Sequence, residues 1–177
     1  MSEMNTVLAG FGGQGVLFAG KVMAYSGLIE NREVSWLPSY GPEMRGGTAN
    51  CSVVLADDPI GSPLVVEPDV LIAMNQPSFD KFVGKVRKGG IIVADSTMVQ
   101  DIPDVDGVKI FAIPASTIAE ENGLKGLGNI VLIGKVFEET KFCSEETLEA
   151  AITKCVPKRH AAKLPLNMKA VELGRKA

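Results

Sequence analysis

The strongest constraint on the fold of this chain is a glycine-rich turn, Gly10–Gly15, which follows the apolar run 7–9 and precedes the apolar start of a helix. This order is typical of α/β units that bind anionic groups, because the first N–H groups of the helix have no partner within it. In this interpretation Gly10 permits the tight turn, Gly12 lets a partner approach the backbone, and Gly15 lets the helix pack on the strand. The sequence therefore predicts a binding turn between a buried strand and a helix.

The turn alone does not establish a dinucleotide site. Such a site also needs an acid about twenty residues further on, at the end of the second strand, to bind a ribose. The second strand is predicted at Val34–Leu37, and Pro38 follows it with no acid at that end. Glu33 stands at the opposite end of the strand. We therefore expect NAD, NADP and FAD to bind weakly, and an independent Rossmann-type oxidoreductase that binds NAD or FAD is kept only as an alternative.

Composition and charge limit the classes of protein to which this chain can belong. The chain has 177 residues, of which 46% are apolar and 22% charged, which predicts one domain over 1–177 with a substantial core. A net charge of −3 gives no reason to expect nucleic acid or an anionic membrane as a partner. The longest apolar runs are far shorter than a bilayer span, and we expect no signal peptide and a cytoplasmic location.

The cysteines and the histidine carry no metal motif. Cys51, Cys143 and Cys155 are widely spaced, and no Cys-x-x-Cys occurs. We therefore expect ordinary thiols and neither an iron–sulfur cluster nor a zinc site within this chain. His160 lies in a basic stretch and is interpreted as a surface residue.

A second glycine-rich segment, residues 38–47, contains a Tyr, a Glu, a Met and an Arg among its prolines and glycines. Two interpretations stay open: a loop pinned by an internal pair of Glu43 with Arg45, or a binding loop on a rigid scaffold. Asp95, at the end of another strand, is interpreted as the cap of a turn in preference to a ligand.

Apolar runs and turn residues alternate along the rest of the chain. Strands are predicted at 7–9, 34–37, 50–56, 70–74, 91–94 and 108–113, and helices at 16–24, from 75, at 116–121, at 130–137 (or a strand there), from 144 and from about 165. This alternation predicts an α/β, Rossmann-like three-layer fold with a mostly parallel sheet in a single domain. Since parallel strands end at one edge, the segments 10–15 and 38–47 should be neighbours there.

The motifs at residues 10–15, 39–51 and 58–63 together resemble the gamma subunit of 2-oxoacid:ferredoxin oxidoreductases, most closely the 2-oxoglutarate type. The resemblance covers essentially the whole chain, and its most specific part is 43–47. It implies binding or interface residues that share these two glycine-rich segments and the strand after them: Gly10, Gly12, Gly13, Gln14, Gly15, Tyr40, Glu43, Met44, Arg45, Gly46, Gly47 and Asn50.

The resemblance also implies a division of labour. Alpha and beta subunits would hold thiamine diphosphate with magnesium, a ferredoxin-like delta subunit would hold iron–sulfur clusters, and coenzyme A would be the co-substrate at the interface. This chain would bind no cofactor and carry no catalytic residue of its own, which fits the absence of a Gly-Asp-Gly motif from its sequence. A subunit of an indolepyruvate oxidoreductase remains an alternative.

Overall fold

The computed structural model describes residues 2–40 and 48–177, without the side chain of Tyr40. The described strands are β1 (Glu3–Phe11), β2 (Glu33–Tyr40), β3 (Thr48–Ala56), β4 (Val70–Ala73), β5 (Ile91–Asp95) and β6 (Lys109–Ile113). The described α-helices are α1 (Val16–Ile29), α2 (Gln76–Phe82), α3 (Ala115–Glu121), α4 (Gly128–Thr140), α5 (Glu145–Cys155) and α6 (Leu164–Lys176). None of the helices in these ranges is long and apolar enough to cross a membrane.

The six strands form one sheet in the order β2-β3-β1-β4-β5-β6. Strands β1, β4, β5 and β6 are parallel, whereas β3 is antiparallel to both β1 and β2. The prediction of a mostly parallel sheet is confirmed, with β3 as the exception. Only seven residues lie between β2 and β3, whereas a crossover between parallel strands needs about a dozen or more.

Strand β2 is longer than predicted. It continues through Pro38 to Tyr40, so the segment 38–47 does not begin as a loop. Proline is tolerated in β2 because this strand forms the edge of the sheet, where a missing N–H can face away from the ladder.

Successive side chains along each strand point to opposite faces of the sheet and form two separate cores. Met4 and Leu8 of β1 pack with α1 and α4 on one face, whereas Val7 and Ala9 pack with Phe79 of α2 on the other. A sheet covered on both faces gives the predicted three layers, and its central strands β4 and β5 are accordingly apolar along almost their whole length.

Helix α4 decides the one element for which two interpretations were open. Residues 130–137 lie within this helix and are almost entirely buried, so the strand interpretation is wrong. A run that is apolar on all sides has no helical or strand period, and only its length and packing distinguish the two.

Two glycines allow α4 and α6 to cross in backbone contact. A Cβ atom added at Gly134 would overlap the backbone of Val171, and one added at Gly174 would overlap the carbonyl of Val131. The two helices can therefore approach this closely only without side chains at 134 and 174.

We predict that Gly134→Ala or Gly174→Ala lowers the free energy of unfolding by about 1–3 kcal/mol, because the added methyl group forces the helices apart. Urea titration of the purified chain measures the change. Gly61→Ala is the matched control, since a Cβ at that exposed glycine meets no atom within 4 Å. Equal stability of Gly134→Ala and Gly61→Ala would contradict this account of the crossing.

Candidate binding edge

The glycine turn joins β1 to α1 at the carboxyl edge of the sheet. Gly13 and Gly15 have φ angles of 98° and 76°, a region that side chains disfavour. Gly15 is the N-cap residue of α1 and provides no side-chain cap, and no acid lies in the first turn of the helix. Within residues 2–40 and 48–177, the start of α1 therefore presents backbone N–H groups that no capping side chain accepts from.

Gln14 lies within the turn, and its amide group is directed into the protein. Its Oε1 atom accepts hydrogen bonds from the Phe11 N–H at 2.6 Å and from Asn75 Nδ2 at 3.1 Å. Its Nε2 atom donates to the Met74 carbonyl at 2.8 Å. The predicted binding residue Gln14 thus ties the turn to the end of β4.

Close packing on both sides explains two of the glycines. A Cβ atom at Gly10 would stand 2.7 Å from Gln14 Oε1 and 2.9 Å from Met74 Cβ. A Cβ at Gly15 would overlap Asn129, whose Nδ2 donates to the Gly15 carbonyl at 3.0 Å. The absence of a side chain at Gly10 therefore leaves room for the Gln14 side chain. Its absence at Gly15 leaves room for the start of α4.

Two cavities are each lined by more than one residue of the turn. One, of about 280 Å³, is lined by the turn itself, by Leu17 and Phe18 of α1, and by Ala49 of β3. The other, of about 290 Å³, is lined by Gly13, Gln14 and residues of α3 and α4. The backbone N–H groups at the start of α1 belong to the first cavity, which is the better candidate for an anion.

The structure brings part of the second predicted segment to this edge. Tyr40 at the end of β2 pairs with Ala49, and Asn50 pairs with Ala9 of β1. Asn50 is half-buried on the α2 face of the sheet, because it alternates with Cys51, which faces α1. Glu43, Met44, Arg45, Gly46 and Gly47 lie outside the described residues, so their participation stays a prediction.

Two asparagines at this edge were missed as site residues. Asn75 is only 1% exposed and caps α2 through a hydrogen bond accepted from the Ser78 N–H at 2.9 Å. Asn129 begins α4 beside Gly15. The sequence signal was present only for Asn75, which stands between an apolar strand and a helix with Pro77 in its first turn.

Asp95 acts as the predicted cap. Its Oδ1 atom accepts a hydrogen bond from the Thr97 N–H at 3.1 Å, which closes the turn after β5. Its carboxylate also accepts from the Ser116 hydroxyl at the start of α3. Asp95 is 2% exposed, and these bonds account for its burial.

The three cysteines are buried thiols, and His160 is exposed as predicted. Burial raises the pKa of Cys51 and Cys143 to about 12 and that of Cys155 to about 11. At neutral pH all three are therefore protonated, and a protonated thiol is a poor nucleophile. Within residues 2–40 and 48–177, no three His, Cys, Asp or Glu side chains are grouped to hold a metal ion.

The raised thiol pKa values predict that stability falls at alkaline pH. Above its ordinary pKa of 9.0, Cys51 loses its proton in the unfolded chain but keeps it in the fold until about pH 12. The free energy of unfolding should then fall by about 1.4 kcal/mol per pH unit for this thiol.

Urea titrations between pH 8.5 and 11 measure this slope. Cys51→Ala should reduce it, whereas Val53→Ala, a substitution on the same buried face of β3, should lower stability with the slope of the unsubstituted chain. The same slope for both variants would show that the Cys51 thiol does not contribute to it.

Comparison with known proteins supports one family. The sequence model described as "Pyruvate ferredoxin/flavodoxin oxidoreductase" matches residues 5–177. The 2-oxoglutarate synthase subunit KorC of Methanocaldococcus jannaschii is 39% identical over 155 residues, which cover 85% of this chain and 82% of that protein. The ketoisovalerate oxidoreductase subunit VorA of Methanothermobacter marburgensis is 46% identical over 132 residues, or 75% of this chain and 27% of that protein. This chain therefore matches only about a quarter of the length of VorA.

Solved structures agree with the sequence comparisons. The gamma subunit of a keto/oxoacid ferredoxin oxidoreductase from Geobacter sulfurreducens superposes with a TM-score of 0.82 at 29% identity, covering 98% of this chain and 96% of its own. The 2-oxoglutarate:ferredoxin oxidoreductase of Magnetococcus marinus, with 2-oxoglutarate, coenzyme A and succinyl-CoA bound, gives a TM-score of 0.88 at 25% identity. That match covers 99% of this chain and 31% of the other.

Proposed function

Because this chain belongs to the pyruvate ferredoxin/flavodoxin oxidoreductase family, we propose that it is the gamma subunit of a 2-oxoacid:ferredoxin oxidoreductase that acts on 2-oxoglutarate. The observation that carries the proposal is the similarity to KorC over most of both chains. The complex would decarboxylate the 2-oxoacid, pass two electrons to ferredoxin and transfer the acyl group to coenzyme A.

The other parts of the reaction are assigned to partner subunits. Thiamine diphosphate and magnesium would be held by alpha and beta subunits, and the iron–sulfur clusters by a ferredoxin-like delta subunit. The described part of this chain supports that division, because its buried thiols are protonated and its edge carries backbone donors and amide groups in place of a nucleophile with a base. The family resemblance of the two glycine-rich segments is the remaining support.

The contribution of this chain would be the coenzyme A-facing edge. A phosphate fits the uncapped start of α1 and the cavity of about 280 Å³ beside it, since backbone N–H groups and the helix dipole both favour an anion there. Arg45, the only cation within residues 38–47, would add a planar pair of donors suited to phosphate. The Magnetococcus marinus relative was solved with coenzyme A bound.

Ketoisovalerate is the second candidate substrate, because VorA is more identical to this chain than KorC is over the matched residues. We predict that the complex purified with this chain reduces methyl viologen at least tenfold faster with 2-oxoglutarate than with ketoisovalerate or indolepyruvate, in a reaction that needs coenzyme A. The chain alone should be inactive. Faster turnover of ketoisovalerate or indolepyruvate would overturn the assignment to 2-oxoglutarate.

We predict that Arg45→Ala raises the KM for coenzyme A about 10–100-fold, which is the contribution of one charged hydrogen bond. Arg45→Lys keeps the charge without the planar fork and should give a smaller rise. The melting temperature of the chain should stay unchanged in both. A lower melting temperature with an unchanged KM would instead favour a loop pinned by the pair of Glu43 with Arg45.

A further inference from the structure

Gln14 uses its side chain within the protein at the position where a ligand contact was expected. Besides the three hydrogen bonds of its amide group, its own N–H donates to the Phe11 carbonyl at 3.1 Å. Phe11 and Gln14 are therefore bonded reciprocally, and this closes the turn around the two glycines between them.

Gly12 and Gly13 are exposed, and their N–H groups make no hydrogen bond to another residue of the described ranges. Two adjacent glycines have more conformational freedom than any other pair of residues, and that freedom must be lost when a ligand binds. A turn that the folded chain already holds in one geometry binds its ligand more tightly, because the conformational entropy is lost when the chain folds and not when the ligand binds.

Asn75 extends the connection beyond the turn. Its Nδ2 donates to Gln14 Oε1, while its Oδ1 accepts from the Ser78 N–H at the start of α2. Asn75 is buried and belongs to the adjacent parallel strand end, which the core holds in place. The turn is thus anchored to a rigid element outside it.

We infer that Gln14 is a positioning residue, which through Met74 and Asn75 fixes Gly12 and Gly13 in the conformation that presents their N–H groups and the start of α1 to a phosphate of coenzyme A. The identity of that ligand rests on the proposed function. Bonds within the protein occupy the carbonyl oxygen of the Gln14 amide and one of its two N–H donors, so this side chain serves mainly to hold the turn.

Gln14→Glu tests the inference by removing one donor. A glutamate carboxylate still accepts hydrogen bonds but cannot donate to the Met74 carbonyl. We expect the KM for coenzyme A in the complex to rise about tenfold, the contribution of one hydrogen bond, with little change in kcat. In Gln14→Ala, which loses all three side-chain bonds, the rise should be at least as large.

Two further variants separate positioning from general stability. Asn75→Asp keeps the oxygen that caps α2 but loses the donor to Gln14, so it should raise the KM, and the carboxylate that it places in a buried site should also lower the melting temperature. Gln76→Glu is the matched control, because Gln76 makes four hydrogen bonds to Asp80, Gln100 and Asp101 and does not touch the turn. It should leave the KM unchanged.

Hydrogen exchange of the backbone amide at residue 14, which closes the turn by donating to the Phe11 carbonyl, gives a readout in the full chain that does not depend on activity. Gln14→Glu and Asn75→Asp should exchange faster there, and Gln76→Glu should not. Unchanged exchange in the Gln14 variants, or an equal KM shift in Gln76→Glu, would overturn the inference, as would faster exchange with an unchanged KM. If the unsubstituted complex shows no coenzyme A-dependent activity, the proposed function fails, and exchange alone decides whether Gln14 holds the turn.

Discussion

The binding edge depends on β1 being hydrogen-bonded along both sides, to antiparallel β3 on one and to parallel β4 on the other. The carboxyl end of β1 therefore meets the start of β3 and the end of β4. The glycine turn leaves β1 between Ala49 and Met74, and its residues line both cavities. In open α/β sheets ligands bind at such a crevice beyond the carboxyl ends of the strands, and the comparisons place this arrangement in a family of oxidoreductases.

Most elements could be predicted because they are short apolar runs bounded by glycine or proline, as in β4, β5 and α1. The antiparallel direction of β3 could not, since an apolar run has the same pattern in either direction. The length of β2 was also hidden. Pro38 normally ends a strand, and only its place at the sheet edge, a property of the tertiary structure, allows β2 to continue.

The position of the candidate site could be predicted from the sequence, but the roles of its individual residues could not. Glycines with positive φ angles at Gly13 and Gly15 agree with the expectation of a strand–turn–helix unit. The role of Gln14 depends on Met74, 60 residues away, and that of Gly15 on Asn129, 114 residues away. A glutamine amide binds ligands and backbone equally well, so its sequence context cannot distinguish the two.

The pairing of Tyr40 with Ala49 has a consequence for variation among relatives of this chain. Tyr40 and Thr48, the residues that flank 41–47, belong to the strands β2 and β3, and the ladder between β3 and β1 fixes these strands relative to the glycine turn. A relative can therefore gain or lose residues within 41–47 without shifting the register of the sheet or moving the turn.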